Sequence, residues 1–184
     1  MFIADFHIHS SYSRATSKEC VPESLDLWAR RKGLGLIGTG DFTHPAWRAE
    51  LQEKLAPAEE GLYILKDSFR REGAAKNGDV MPRFLLSAEI SSIYKKNGKV
   101  RKIHNLILLP SLAYAEALSR RLETIGNLHS DGRPILGLDS RDLLQMTLDV
   151  CPEAIFIPAH IWTPHFSLLA HIRALTISRS ALRS

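Results

Sequence analysis

Histidine and carboxylate side chains recur in this sequence where predicted β-strands end, and their types are those of metal ligands. The set is His7, His9, Asp41, His44, Glu89, His104 and His160. In an α/β barrel the loops after the strands meet on one rim, so residues distant in the chain can converge there. Imidazole and carboxylate groups together suit zinc, manganese or iron, and no CxxC pair offers thiolates. The pattern therefore predicts a transition-metal centre.

His7 and His9 stand two residues apart on the first predicted strand, so both side chains point to the same side and can reach one ion. An HxH pair arises easily by chance in a chain with eight histidines. Its position at the end of a strand, directly before Ser10 and Ser11, favours metal ligation over a purely structural pair.

Asp41 and His44, in GDFTHP, leave a buried strand for a loop, where a carboxylate and an imidazole can bend toward one centre. The alternative is that Asp41 caps the helix predicted to begin near Pro45, because aspartate is a common residue at helix starts. The sequence leaves both interpretations open.

Glu89, in LLSAEIS, is a charged residue within an apolar strand, and burial of an unpaired carboxylate costs several kcal/mol. A bridging position between two metal ions would supply the compensating charge, and ions roughly 3.5–4 Å apart can clamp an attacking water and a phosphate. The alternative is a salt bridge to Arg83 or Lys102. Glu89, together with Asp41 and His44, is also predicted to act in catalysis.

The remaining histidines fall into two classes. His104, in KIHNLILL, and His160, in IFIPAHIW, lie on or after strands and complete the predicted ligand set, although a lone histidine on a strand is often a core residue. His165, beyond the last clear strand, is a further candidate as a ligand or a substrate contact. We expect His129 and His171 to be surface residues.

Hydrophobic periodicity predicts strands that alternate with helices, which is typical of an α/β or barrel arrangement. Asn97 and Gly98 join two of the strands, and this pair is a strong hairpin signal because the tight turn needs positive φ. We expect a polar surface excursion at 66–81. The predicted strands are 2–9, 34–39, 83–94, 99–110 and 154–158, and the predicted helices are 22–32, 45–57, 112–125 and 139–150.

The composition indicates one globular domain, since 45% of the 184 residues are hydrophobic and 24% are charged. No apolar run is long enough to span a membrane and no secretory signal opens the chain, so we expect a cytoplasmic protein. We expect Cys20 and Cys151 to be ordinary buried thiols. The net charge of +4 is weak evidence for nucleic-acid binding, because residues 167–184 contribute three arginines and no acid.

The motifs FHIHS, TGDFTH, SAE, IHNLIL and PAHIWTP resemble the polymerase-and-histidinol-phosphatase family, called the PHP domain, over residues 2–166. Within that family, GTGDFTHPAW and PAHIWTPHFS are most similar to the N-terminal part of the endonuclease Q group. No other catalytic motif competes, because the sequence has neither a GxSxG elbow nor a Walker-type phosphate loop.

The resemblance implies a distorted (β/α)7 barrel of the TIM type that holds two or three Zn²⁺ or Mn²⁺ ions on the ligand set named above. It also implies hydrolysis of phosphodiesters in DNA, on the 5′ side of deaminated or abasic nucleotides, with replication or repair proteins as further partners. A flipped lesion would be read in a pocket. Trp47 and Trp162, next to two ligand loops, could stack on a base or pack in the core.

Two features depart from the family pattern. The PHP barrel closes its site with a late Asp-x-His pair, and endonuclease Q continues into a cysteine-rich zinc-binding region, neither of which follows His160 here. Residues 167–184 instead form a divergent basic tail after the PHP domain of residues 1–166. We therefore expect a barrel that is incomplete at its C-terminus, from a truncated or frameshifted product with open sheet edges and uncertain activity.

Three functions remain open from the sequence. The first is a metal-dependent DNA endonuclease of the endonuclease Q type. The second keeps the metal centre but hydrolyses a small phosphomonoester. The third is a non-catalytic PHP module that binds metal for structure or for interaction with other proteins.

Overall fold

The computed structural model of the protein describes residues 2–14, 16–73 and 81–169. Its helices are α1 (Pro22–Lys32), α2 (Pro45–Lys54), α3 (Leu112–Glu123) and α4 (Ser140–Val150), with a short 3-10 helix at Asp67–Phe69. Its strands are β1 (Ile3–Asp5), β2 (Leu34–Gly38), β3 (Leu55–Pro57), β4 (Tyr63–Leu65), β5 (Arg83–Lys96), β6 (Lys99–Leu109), β7 (Ile135–Leu136) and β8 (Ile155–Pro158).

These strands form one curled sheet of mixed direction that resembles half of a barrel. β1, β2 and β5 run parallel, and β4 and β3 extend the sheet antiparallel beyond β5. β5 also pairs with β6 along its upper part, β7 pairs parallel with β5, and β8 pairs antiparallel with β6. The predicted α/β class is confirmed, and among the described strands β1 and β8 each have a single neighbour.

The two faces of β5 differ in chemistry, and this difference places the candidate site. Its even-numbered residues from Phe84 to Ile90 are apolar and buried in one cluster with side chains of α2, α3 and α4. Its odd-numbered residues Ser87, Glu89 and Ser91 are buried on the opposite, concave face. His104 of β6 pairs with Ser91 across the hairpin, so it lies on that concave face next to Glu89.

The predicted hairpin is confirmed, and its turn has the expected backbone. Asn97 and Gly98 have φ values of 51° and 72°, the positive values that a two-residue primed turn requires. The hairpin also reverses the direction of β6. Glu89 and His104 lie in the middle of these two strands. The prediction that every candidate ligand sits at a downstream strand end is wrong for these two.

Several predicted boundaries need correction. The first strand covers Ile3–Asp5 instead of 2–9, and the helix predicted for 45–57 ends at Lys54, where the chain turns into β3. β3 and β4 pair with each other, so the backbone groups of residues 55–57 are satisfied by a strand partner. The polar segment 66–81 begins with the 3-10 helix, and its residues 74–80 lie outside the described part of the chain.

The cysteines and the helix lengths bear on two further expectations. Cys151 is buried as predicted, but Cys20 is only half-buried, at the end of a loop before α1. Within the described ranges, no helix has the length and apolar character that crossing a membrane requires.

Candidate metal centre

Glu89 is the centre of a cluster that the concave face of the sheet holds together. Its Oε1 lies 2.9 Å from His7 Nε2, 2.9 Å from His104 Nδ1 and 3.3 Å from His160 Nε2. Its Oε2 lies 3.4 Å from His9 Nε2. Four histidines from β6 and from the segments that follow β1 and β8 thus meet one carboxylate, as the sequence pattern predicted for a shared site.

Glu89 Oε1 is buried and forms no hydrogen bond of acceptable geometry, even though three ring nitrogens surround it. The nitrogens of His104 and His160 are also only 3.2 Å apart. One oxygen with several converging nitrogens is a poor hydrogen-bond arrangement, but it is a normal arrangement for ligands around a cation. The donor set therefore fits divalent transition-metal ions.

The ligand atoms divide into two groups that share Glu89. His7, His9 and Glu89 form one group, and Glu89, His104 and His160 form the other, with all ligand atoms of a group within 4.8 Å of one another. Within the described residues, these are the groups of histidine, cysteine and acidic side chains with such spacing. A shared carboxylate is the arrangement that a two-metal site uses.

The cluster is open on one side. Glu89 and His104 form its floor, with 1% and 7% of their side chains exposed. His7 and His160 form its rim, with 34% and 32% exposed. A ligand can therefore approach from the rim while the charged floor stays shielded from water, which strengthens electrostatic interactions there.

Charge in the cluster is balanced through the histidines. Burial raises the pKa of Glu89, but the adjacent rings of His104, His7 and His9 outweigh burial and hold that pKa far below its ordinary value. Glu89 is therefore ionised. The hydrogen bond to Asp41, followed by the contact with Glu89, raises the pKa of His9 to about 9.

Asp41 lies behind His9 and outside both three-residue groups. Its Oδ1 is 3.0 Å from His9 Nδ1, so His9 can present Nε2 to the Glu89 side. Its Oδ2 accepts hydrogen bonds from the amide and hydroxyl of Ser10 and from the hydroxyl of Ser13. A carboxylate that orients a histidine in this way is a common feature around metal ligands.

The loop after β2 brings Asp41 to this position by close backbone approach. Gly40 has φ 65°, and a Cβ there would lie 2.6 Å from the carbonyl oxygen of Ile8. Asp41 itself has φ 49°. The alternative that Asp41 caps α2 is wrong, since the residue at the N-cap is His44, whose Nδ1 accepts from the amide of Trp47.

His44 follows Asp41 closely in the sequence, but its side chain contacts residues outside the cluster around Glu89. Its Nε2 lies 3.2 Å from the carbonyl oxygen of His129, and its ring packs against Tyr12 with centroids 4.4 Å apart. Burial lowers the pKa of His44, so the ring is neutral at pH 7. The structure does not bring His44 into either group, and its predicted roles as ligand and catalytic residue are left untested.

The segment after β8 positions His160. His160 has φ 32°, and the segment is tied together by hydrogen bonds from Thr163 to the carbonyl oxygens of His160 and His165. The carbonyl oxygen of Phe166 accepts from the amide of His104, which anchors the segment to β6. The backbone carbonyl oxygen of His165 accepts from Thr163, and His165 belongs to neither group around Glu89, so its role as ligand or substrate contact stays a prediction.

Known proteins share this architecture. No family model matches the sequence. The uncharacterized protein MJ0043 of Methanocaldococcus jannaschii is 32% identical over 166 residues, which are 90% of this chain and 17% of that protein. The lesion-specific endonuclease PfuEndoQ of Pyrococcus furiosus superposes with a TM-score of 0.76 at 27% identity, over 99% of this chain and 40% of that one.

The fold is similar to that of endonuclease Q. A second structure, endonuclease Q in complex with a 27-mer duplex that carries an abasic lesion at the active site, superposes with a TM-score of 0.73 at 28% identity. This match covers 93% of this chain and 38% of the endonuclease Q chain. The chain thus spans well under half of these relatives.

Arg133 is a site residue that sequence reasoning missed. Its guanidinium Nη1 donates to Glu89 Oε2 at 3.3 Å, whereas the two predicted partners of Glu89 make other contacts. Arg83 pairs with Glu59, and the Lys102 ammonium lies over the ring of Phe166. Nothing in the local sequence distinguishes Arg133 from the other arginines, because its partner is 44 residues away.

The two tryptophans considered for base stacking lie in different environments, and His129 lies on the surface. Trp47 is fully buried in the core, and its Nε1–H donates to the carbonyl oxygen of Gly40. Trp162 is 74% exposed, so core packing is the wrong interpretation for it. His129 is exposed as predicted and contacts Glu123, while His171 lies outside the described residues.

An open, mostly apolar pocket of about 580 Å³ lies at the other end of the strands. It is lined by Phe2 and by residues at the starts of β2 and β5, including Gly35 and Arg83. It holds no histidine, so it offers none of the chemistry found around Glu89.

Replacement of Asp41 by asparagine should weaken metal binding. The serine donors would hold the amide oxygen at the Oδ2 position, so the amide NH2 would face His9 Nδ1 and force the ring proton onto Nε2. We expect metal affinity to fall about 10–100-fold, the usual effect of losing such a supporting carboxylate. Isothermal titration calorimetry with Zn²⁺ measures this change in affinity.

The matched control is Asp149→Asn on the exposed face of α4, which removes the same charge away from the cluster. It should leave metal affinity unchanged. Equal affinities for Asp41→Asn and the unmodified protein would show that the contact with His9 has no role in metal binding.

Proposed function

We propose that this chain is the metal-binding part of a DNA-repair endonuclease of the endonuclease Q type, which cleaves on the 5′ side of deaminated or abasic nucleotides. The observation that carries the proposal is the convergence of four histidines on the buried Glu89. The similarity of the fold to an endonuclease Q bound to an abasic duplex supports the DNA substrate. The partner that this proposal requires is DNA, and the proposed location of the protein is the cytoplasm.

The proposed roles follow the geometry of the cluster. His7, His9, His104 and His160 would hold two or three ions of Zn²⁺ or Mn²⁺ around Glu89. The ions would supply positive charge that polarises a phosphodiester and makes water a better nucleophile at neutral pH. Asp41 would orient His9. The neutral ring of His44, behind the loop that carries Asp41, would keep that loop in place.

We further propose that the curled sheet of residues 1–166 belongs to a (β/α)7 PHP barrel. The concave polar face and the outer helices agree with such a barrel. β1 and β8 would then pair with the remaining strands, which explains why Ile3, Ile155 and Ile157 are exposed here.

The activity test uses duplex oligonucleotides that carry uracil, hypoxanthine, xanthine or an abasic site, with added Mn²⁺ or Zn²⁺. The proposal predicts a nick on the 5′ side of the lesion and no cleavage of the undamaged duplex. Hydrolysis of nitrophenyl phosphate alone would identify a phosphatase for small phosphomonoesters. Bound metal without hydrolysis of either substrate would identify a non-catalytic module.

Trp162 is the residue best placed to contact a base. It is 74% exposed on a segment that hydrogen bonds hold next to His160. Base stacking on an aromatic ring contributes about 1–3 kcal/mol. Trp162→Ala should therefore weaken binding of lesion-bearing DNA about 10–100-fold, measured by fluorescence anisotropy with Ca²⁺ in place of the active metal.

The control for this prediction is Trp28→Ala. Trp28 is also exposed, at 53%, but it lies on α1 against Arg31, away from the cluster. It should leave DNA affinity unchanged. An equal loss in both variants would argue for a general effect of tryptophan removal, and no loss in either would exclude Trp162 from the DNA contact.

A further inference from the structure

Arg133 occupies an unusual position for a cation in a metal-binding cluster. It contacts Glu89 Oε2 at 3.3 Å, on the carboxylate that both candidate metal groups share. Of the lysines and arginines in the described ranges, it is the one paired with a candidate ligand. Its side chain is 37% exposed, so it stands on the rim and not on the floor.

The segment that carries Arg133 is fixed on both sides. The amide of Gly132 donates to the carbonyl oxygen of Tyr12, and a Cβ at Gly132 would lie 2.3 Å from Asp41 Oδ2. The carbonyl oxygen of Pro134 accepts from the amide of Ser91 in β5. The backbone at Arg133 is thus held against the site, and only the long side chain is left to move.

The guanidinium and any divalent ion held by Glu89 would share one carboxylate: Arg133 contacts Oε2, and the nitrogens of three histidines face Oε1. Ions bound to this carboxylate would repel the guanidinium and so weaken its pairing with Oε2. A buried cation in that position would be trapped, but Arg133 already stands on the rim and its partly exposed side chain can turn away from Glu89. There its planar N–H groups match the oxygens of a phosphate better than any other side chain.

We propose that Arg133 is the phosphate-binding residue of this site: it pairs with Glu89 in the metal-free protein and binds the substrate phosphate once the ions are in place. The assignment rests on the proposed function, since it presupposes metal binding at Glu89. The substrate group bound next to Arg133 would be a phosphate, with two free oxygens that face the guanidinium.

The test measures binding of inorganic phosphate to protein that holds its metal ions, after excess metal is removed by desalting. Arg133→Ala should bind phosphate about 10–100-fold more weakly, which is the effect of losing a hydrogen bond to a charged group. Arg133→Lys should lie between, because it keeps the charge without the planar fork. Arg120→Ala, an exposed site on α3 paired with Glu116, should match the unmodified protein.

The affinity for Zn²⁺ provides a second measurement, and its expected change is in the opposite direction to the change in phosphate affinity. If Arg133 competes with the ions for Glu89, Arg133→Ala should bind Zn²⁺ several-fold more tightly. If Arg133 only supports the structure of the site, the variant should bind Zn²⁺ more weakly, and that result would overturn the assignment. Unchanged phosphate binding in Arg133→Ala would also overturn it.

The outcome separates this assignment from the proposed function. An unmodified protein with metal bound and with phosphate binding that is insensitive to Arg133→Ala would overturn the assignment alone. An unmodified protein without bound metal would overturn both.

Discussion

Replacement of Glu89 by glutamine should abolish lesion cleavage and sharply reduce bound metal. Glu89 belongs to both candidate metal groups, so its loss weakens both sites at once. Metal ions contribute several kcal/mol to the stabilisation of charge in a hydrolytic transition state, and each 1.36 kcal/mol corresponds to about tenfold in rate. We therefore expect a fall in the cleavage rate of about a thousandfold or more, measured with a labelled abasic duplex in excess Mn²⁺.

Two comparisons make the result specific to the cluster. Glu53→Gln, at an exposed position of α2, removes the same charge and should cleave and bind metal normally. His160→Ala affects one group only, so it should retain more metal than Glu89→Gln. Full metal content in Glu89→Gln would mean that Glu89 is a structural partner of Arg133 and not a metal ligand.

Replacement of Trp47 by alanine should have the largest effect on stability. Trp47 is fully buried, and its Nε1–H donates to the carbonyl oxygen of Gly40 at 2.8 Å. Truncation of a buried tryptophan leaves a large cavity, so we expect the free energy of unfolding to fall by about 5 kcal/mol. Urea unfolding followed by circular dichroism measures this change.

Trp47→Phe keeps most of the ring volume and removes only the hydrogen bond, so it should cost about 1–3 kcal/mol and remain folded. Trp162→Ala is the matched surface control, and it should change stability by less than about 0.5 kcal/mol. Near-equal stability of Trp47→Ala and Trp162→Ala would contradict the position of Trp47 in the core.

The sequence predicted the long, strongly patterned elements well. The hairpin of β5 and β6 follows from Asn97 and Gly98, because few other residue pairs accept positive φ twice in succession. The short strands β3, β4 and β7 were missed. Segments of two or three residues carry no periodicity, and their pairing depends on neighbours that are distant in the chain.

The site was predictable in composition but not in its internal order. Residue types were enough to select His7, His9, Glu89, His104 and His160, which the structure brings together, although Glu89 and His104 lie in mid-strand. The sequence could not show that Asp41 faces His9 and the serines, since this depends on the positive φ of Asp41 and the close approach at Gly40.

The cation that meets Glu89 is the clearest example of this limit. Arg83 and Lys102 lie on the same hairpin as Glu89, and proximity in the sequence made them the natural candidates. Arg83 sits at the start of β5 beside Glu59, so it cannot reach Glu89. Arg133 reaches it from the loop before β7, because Gly132 packs directly against Asp41.

Metal content of the purified chain tests the central claim most directly. Mass spectrometry of the unmodified protein should find two or three equivalents of zinc or manganese per chain. The double variant His7→Ala, His9→Ala should keep its circular dichroism spectrum and lose at least one equivalent, because one of the two groups around Glu89 is removed. An unmodified chain without metal, or a double variant with the same metal content, would contradict the account.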